Sequence, residues 1–309
     1  MIIDNNLSID DIIQGIKVQL KDVMNSQGEL GTIAYLNTSK PVADDTIKLQ
    51  IRDQYGHIFA VVLCSSPVSP RLVARGIDKA AQIRDALNSE LGQVILKPLT
   101  RGEFNGLTYV VLPYCKPISK SKLRRFMQRW YLRPRVLKWL RQVTTETITE
   151  PSPDELQSDF LIPLKQIVAN QRINGQIHAA AAMAIKRLLT SQWHPRYVLA
   201  HNDFWEDNLL LSPNQQGFGF IVIDWPGANI RGHAIYDLVR MAMSLRLTPR
   251  HLLDELQQHC RILDCSIVDA TGYLLASLGF IGMHLEHFPM ERYVALTENC
   301  YHLLQSLGD

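Results

Sequence analysis

His201-Asn202-Asp203-Phe204-Trp205-Glu206-Asp207-Asn208, followed after an apolar hairpin by Ile223-Asp224-Trp225, is the stretch on which the reading of this chain turns. Its spacing is H-x-D-x-x-x-x-N and then an apolar run that ends in Asp. Tyr197-Val198-Leu199-Ala200 and Asn208-Leu209-Leu210-Leu211 read as short apolar strands on either side of an irregular loop, where a carboxylate can reach solvent. Asp203 lies on that loop. Ser212-Pro213-Asn214-Gln215-Gln216-Gly217 then reverses the chain, and residues 218–223 return as a strand ending at Asp224. The hairpin brings Asn208 and Asp224 together, as two ligands of one hard cation must be.

A reactive carboxylate beside an amide and a second carboxylate is what phosphoryl transfer asks of a protein. The reaction needs little covalent help: one group accepts the proton of the attacking hydroxyl, and two hold Mg²⁺ against the phosphates. On this reading Asp203 is the base and Asn208 and Asp224 are the metal ligands. The competing reading is that Asp203 and Asn208 only make turn hydrogen bonds and that Asp224 caps the next segment.

The motif resembles that of the aminoglycoside phosphotransferase and choline kinase-like superfamily, relatives of the protein kinases. The family's H-G-D-x-x-x-x-N stands here as His201 to Asn208, with Asn202 in place of Gly. Its I-D-W/F/L stands as Ile223-Asp224-Trp225, and its G-x-x-x-x-D-[LI]-[AV] as Gly232-His233-Ala234-Ile235-Tyr236-Asp237-Leu238-Val239. The resemblance is specific over about 195–245 and architectural elsewhere. It implies a nucleotide triphosphate, ATP or GTP, as co-substrate with Mg²⁺, and a small-molecule acceptor. It also implies that Asp237 supports the catalytic loop from within the large lobe. His201 reads as a loop fastener rather than a proton carrier.

The rest of the chain fits a two-lobed α+β fold. With 46 % hydrophobic and 20 % charged residues in 309, there is apolar material for one large or two modest lobes. A net charge of +2 names no partner. The five cysteines are odd in number and hold no C-x-x-C pair, which argues against a disulfide frame or zinc site and suits a reducing cytoplasm. The N-terminus has no signal-peptide pattern, and the longest apolar tract, residues 273–285, is too short and interrupted to span a bilayer.

Residues 8–25 read as a helix capped by Ser8, with Ile12, Ile13, Ile16, Leu20 and Val23 as its apolar stripe. Strands are expected at 32–36, 46–51 and 57–64, a helix at about 70–90, and a strand at 107–112. That order, followed by a mostly helical remainder, matches a kinase-like fold: a small antiparallel-sheet lobe over 1–112 and a helical lobe over 113–309 carrying the catalytic loop and acceptor site. Acceptor-lining helices are expected at about 154–190 and 250–305.

Gly28-Glu29-Leu30-Gly31 stands where the family places its phosphate-covering loop, and backbone amides at Gly28 and Gly31 could meet phosphate without side-chain obstruction. An ordinary turn explains the two glycines equally well. The family's third strand carries a lysine for the nucleotide phosphates, oriented by a glutamate on the next helix. Here the A-x-K pattern puts Val62 in the lysine's place, and residues 71–88 contain no glutamate. Lys48 on the preceding strand is the best substitute, within reach across one strand spacing. Its competing reading is a solvated strand lysine. Arg71 and Arg75 are weaker substitutes.

Between Lys116 and Arg141 stand ten of the 32 Lys and Arg with no acidic residue among them, interleaved with Phe126, Trp130, Tyr131 and Trp139. This stretch suits an anionic or lipid-linked glycan acceptor, an anionic membrane surface, or a solvated basic face whose aromatics turn into the core. Nucleic acid ranks last, because no recognised binding fold accompanies the charge. Pro134 is expected to break any single helix through the segment. Two functions therefore compete: a kinase that phosphorylates a hydroxyl of a sugar, amino sugar or related acceptor, and a pseudokinase or interaction module that docks an anionic partner through residues 116–141.

Overall fold

The computed structural model describes residues 9–24, 30–36, 46–212, 217–285 and 288–307. Helix α1 (Ile9–Met24) buries Ile12, Ile16 and Leu20, an i, i+4, i+8 stripe, against one face of a sheet. Ser8 lies outside the described residues. The sheet comprises β1 (Leu30–Tyr35), β2 (Ile47–Asp53), β3 (Ile58–Cys64) and, after helix α2 (Leu72–Ala86), β4 (Thr100–Phe104) and β5 (Leu107–Pro113). All pairings are antiparallel, in the order β1-β2-β3-β5-β4.

The register divides the sheet into two faces. Leu49, Ile51, Ala60, Val62 and Val111 are buried in one cluster with the α1 stripe. On the other face Lys48 stands opposite Leu63, Leu63 opposite Val110, and Val110 opposite Arg101. Arg101 reaches Asp78 of α2 at 2.9 Å, so α2 covers this second face. Strand β4 was not anticipated, although Asn105-Gly106 (φ 48° and 80°) is the two-residue turn that a tight hairpin demands.

The chain leaves β5 and enters the helical part through β6 (Lys116–Pro117) and the long helix α3 (Lys122–Thr147). Pro134 lies inside α3 and does not end it, contrary to expectation. Proline costs about 3 kcal/mol in a helix interior. Burial of Leu132 just before it and of Val136, Leu137, Trp139, Leu140 and Val143 on the following turns outweighs that cost.

Next come α4 (Pro153–Glu155), a π-helical turn at Leu156–Leu161, α5 (Ile162–Ala169), α6 (Gly175–Leu189) and β7 (Tyr197–Ala200). The hairpin β8 (Leu209–Leu211) and β9 (Phe220–Val222) extends β6 into a three-stranded sheet, and β10 (Asn229–His233) pairs with β7. Helices α7 (Tyr236–Leu245), α8 (Pro249–Leu263), α9 (Ile267–Met283) and α10 (Met290–Gln305) complete the chain.

Helix α9 runs through the main core, with Tyr273, Leu274, Leu275 and Leu278 fully buried. A Cβ at Gly279 would stand 2.1 Å from the Pro163 carbonyl oxygen, so only glycine permits that approach to α5. This packing explains the apolar tract without a membrane. No single helix among the described residues is long and apolar enough to cross a bilayer, although α8 and α9, bent by 88°, reach that length and composition as a pair.

A second cluster joins the two lobes behind the loop 201–208. It contains Ile83 and Leu87 from the end of α2, Trp139 of α3, Phe204, Val222 and Trp225. The small antiparallel sheet and the helical part together form the α+β, bilobal, protein-kinase-like architecture read from the sequence.

Candidate active site

The loop between β7 and β8 is held from below by one buried carboxylate. Asp237, in the first turn of α7, accepts the backbone N–H of His201 at 2.6 Å and that of Asn202 at 3.0 Å. Asn202 has a left-handed φ of 66°, and Ile235, just before α7, has φ 74°. Asparagine tolerates that region far better than a β-branched residue, so Asn202 fills a glycine position at little cost while Ile235 carries strain. Burial pushes the Asp237 carboxyl up to about 7, against the two N–H bonds that favour its charge.

His201 fastens the loop to the strand behind it. Its Nε2 lies 2.9 Å from the Ile223 carbonyl, and its Nδ1 accepts the Asp203 N–H at 3.3 Å. That pair of bonds specifies the neutral Nε2–H tautomer. Burial agrees, lowering the imidazole to about 4.

Asp203 is presented to solvent, with 52 % of its side chain exposed. Its Oδ2 accepts from Trp205 Nε1 at 3.1 Å and from Asn208 Nδ2 at 2.9 Å. Its Oδ1 lies 3.7 Å from the Arg240 guanidinium. Asn208 Nδ2 also donates to the Asp203 carbonyl at 2.8 Å, so both amide hydrogens are committed to one residue, and Oδ1 is the amide atom that could hold a metal ion. The Asn208 carbonyl accepts the Ile223 N–H at 3.1 Å. The residue after Ile223 is Asp224, exposed and at φ 67°. Asp203, Asn208 and Asp224 thus lie along one hydrogen-bonded edge.

An amide oxygen and an adjacent carboxylate match what Mg²⁺ takes from a protein when phosphates supply further ligands. Among the described residues no group of three or more His, Cys, Asp and Glu side chains gathers, and such a Mg²⁺ site needs none. Two shallow cavities of about 520 Å³ lie elsewhere, one beside Cys260 and Cys265, the other beside Asn170 and Met290. Neither includes Asp203, Asn208 or Asp224. The like charges at 203 and 207 do not depend on a cation, because Arg240 faces Asp203 and Arg125 lies 3.8 Å from Asp207.

The other residues singled out divide. Gly31 lies in β1, while Gly28 lies outside the described residues. Lys48 is on the sheet face that α2 covers. Val62, aligned with the family lysine by pattern, points the other way and is buried against α1; the α2 face of β3 presents Val61 and Leu63. Helix α2 also approaches the loop after Asp224, since a Cβ at Gly76 would stand 3.1 Å from Pro226.

Two sets of partners were not anticipated. Glu206, 1 % exposed, accepts Arg125 Nε and Arg129 Nε at 2.7 Å each. Burial alone would raise its carboxyl, and the two guanidiniums reverse that and hold it below the usual range. The i, i+4 spacing of the two arginines signals a shared partner but not which one. Arg240, three residues after Asp237, faces the loop from the same side of α7.

The basic stretch is partly structural. Arg133 donates to the Leu245 and Arg246 carbonyls at the end of α7, Arg141 pairs with Glu255, and Arg135 stacks on Tyr131. Trp139 is buried, as one of the competing readings has it. Phe126 and Trp130 are exposed.

In fold the chain is similar to the GDP complex of wild-type aminoglycoside 2'-phosphotransferase-IIIa, at 12 % identity and TM-score 0.52 over 94 % of this chain and 98 % of that one. It is similar to a choline/ethanolamine kinase family protein from Mesorhizobium loti at 12 % identity and TM-score 0.51, over 96 % and 94 %. Plasmodium vivax ethanolamine kinase matches at 14 % identity and TM-score 0.50, over 98 % and 92 %. At such identities the likeness is one of fold. A search of curated proteins gave no match. The model of the APH family, described as the phosphotransferase enzyme family, matches residues 40–263, which include Lys48 and the whole loop system from His201 to Asp237. The chain belongs to the APH phosphotransferase enzyme family.

Proposed function

We propose that this protein transfers the γ-phosphoryl group of ATP or GTP to a hydroxyl of a sugar, amino sugar or related small molecule. The single observation that carries the reading is the bonding of Asn208, whose amide hydrogens both go to Asp203 and whose carbonyl is tied to Ile223. One residue thereby sets the distance between a solvent-facing carboxylate and the strand end bearing Asp224.

Asn208 Oδ1 and Asp224 would hold Mg²⁺, which when bound neutralises charge across the nucleotide phosphates. Asp203 orients the acceptor hydroxyl and takes its proton at Oδ1, the oxygen not already accepting from Trp205 and Asn208. The hydroxyl oxygen bonds to the γ-phosphorus, and the bond to the bridging oxygen breaks with its electron pair leaving on the nucleoside diphosphate. Lys48 contributes positive charge from the α2 face of the sheet, and Gly31 belongs to the strand that would lie over the phosphates. We place the lobe boundary at 112/113, supported by β5 ending at Pro113 and the next strand, β6, pairing with β8 of the helical part. Five free cysteines, four of them buried, accord with a reducing cytoplasm.

A second reading rests on the small lobe. The α2-facing positions of β3 are Val61 and Leu63, and Asp78 of α2 is engaged by Arg101, so the usual lysine–glutamate pair has no counterpart there. That arrangement favours a pseudokinase or docking module. Acceptor screening by nucleotide consumption, phosphorylated sugars and amino sugars first, separates the two. Turnover that falls by about 10³-fold in Asp203→Ala with the melting temperature unchanged supports the kinase. Full turnover in that variant refutes the role of Asp203.

A further inference from the structure

The first two turns of α3 carry an apolar face that the fold leaves uncovered. Leu123, Phe126, Met127 and Trp130 follow the i, i+3, i+4, i+7 spacing of one helix face and are 71 %, 64 %, 60 % and 72 % exposed. Further along the same helix the core-facing side chains are covered: Leu137 and Leu140 are buried. A helix that needed these four side chains for packing would have covered them too. Contiguous aromatic and aliphatic exposure on this scale marks an interaction surface.

Cations flank this face. Lys116, Lys120, Lys122 and Arg124 are exposed, and none enters an ion pair with a described residue, whereas Arg125, Arg129 and Arg141 do. No acidic residue occurs from 116 to 141. The loop bearing Lys120 is tied to the helix, since the Ser119 N–H donates to Gln128 Oε1 at 2.7 Å, and Lys116 is fixed in β6 by its pairing with Leu211. The charges and the stripe therefore form one fixed patch.

We propose that this patch docks the protein on an anionic lipid bilayer. The stripe is convex, a helix face and not a groove. A convex aromatic-aliphatic stripe with basic flanks matches the headgroup boundary of a membrane, into which such a helix lays its apolar side while Lys and Arg meet anionic headgroups. Tryptophan and phenylalanine favour that boundary. A folded protein partner would have to supply a groove for the stripe. Arg125 and Arg129, which hold Glu206, lie on the far side of α3 from the stripe, so the docked helix separates the loop 201–208 from the lipid surface by one helix diameter, ~10 Å. The acceptor chemistry this favours is a hydroxyl on a lipid-linked molecule. The docking itself does not depend on catalysis.

The test is co-sedimentation of the full chain with phosphatidylcholine vesicles with and without phosphatidylglycerol, alongside tryptophan emission. Trp139, Trp193 and Trp225 are buried and Trp205 is half-buried, so an emission shift on vesicles is assigned to Trp130 by its loss in Phe126→Ser/Trp130→Ser. The wild type is expected to sediment with the anionic vesicles only, with a blue shift, and to be released as salt is raised. Phe126→Ser/Trp130→Ser and Lys120→Glu/Lys122→Glu/Arg124→Glu should each weaken the partition by about tenfold or more with unchanged melting temperature. Wild type that stays in the supernatant, or that binds neutral and anionic vesicles equally, overturns the proposal. So does undiminished binding by the Phe126→Ser/Trp130→Ser variant. A wild type that elutes as a dimer and becomes monomeric in that variant makes the stripe an interface between copies, and also overturns it.

Discussion

The carboxylate of Asp237 lies 2.6 Å from the backbone nitrogen of His201 and is buried beneath the loop it supports. The folded state raises this carboxyl from an ordinary 3.8 to about 7 because burial disfavours its charge. Between those two values the native protein binds a proton that the unfolded chain does not. The associated stability is full below about 4 and is lost as pH rises through about 7. Asp237→Asn removes the titration. The wild type should therefore exceed Asp237→Asn in stability by more at pH 5 than at pH 8, the gap shrinking by on the order of 2 kcal/mol. Thermal unfolding of both proteins at the two pH values measures it, and a gap that widens with pH contradicts the assignment.

Glu206 is held by Arg125 and Arg129, and removing Arg129 leaves a buried carboxylate with only Arg125 to compensate it. Arg129→Ala should cost about 3 kcal/mol, and Glu206→Gln in that background should recover part of the loss. Urea unfolding of the single and double variants gives the coupling. Additive effects would mean that the contact does not matter.

The loop 201–208 and the strand end at Asp224 are legible in the sequence because their spacing, within 24 positions, matches the motifs of the family. His201 and Asp237 were read as loop supports, and the geometry gives each that place. Glu206 was passed over because its partners lie 77 and 81 positions earlier, and nothing local to Glu206 announces them. The facing of Lys48 is a tertiary property. Alternation along β2 separates it from Ile47 and Leu49, but only the ladder to Arg101 and the bridge to Asp78 show which helix covers that side. Strand β4 escapes the sequence pattern although Asn105-Gly106 marks its turn, because residues 100–104 have little apolar alternation. Pro134 was overvalued as a breaker, since the cost of one missing N–H is local and the packing of the later α3 turns is invisible to a propensity rule.

Pro134→Ala tests that last point. An N–H at position 134 can donate to the Trp130 carbonyl, so the variant should be more stable than the wild type by about 1–3 kcal/mol. The urea midpoint reads the change. A loss of stability would mean that the helix depends on the proline.

Lys48→Met keeps the length of the side chain and removes its charge. Binding of Mg·nucleotide should weaken about tenfold, with the melting temperature of the unliganded protein little changed. Unaltered affinity would return Lys48 to an ordinary strand position and leave the phosphate charge to another residue.

Isothermal titration of the wild type and of Asp224→Ala with ATP and GTP, each with and without Mg²⁺, tests the central claim most directly. Binding by the wild type should require Mg²⁺ and weaken by about tenfold or more in Asp224→Ala. Absence of binding by the wild type to either nucleotide, or equal binding by both proteins whether or not Mg²⁺ is present, would contradict it.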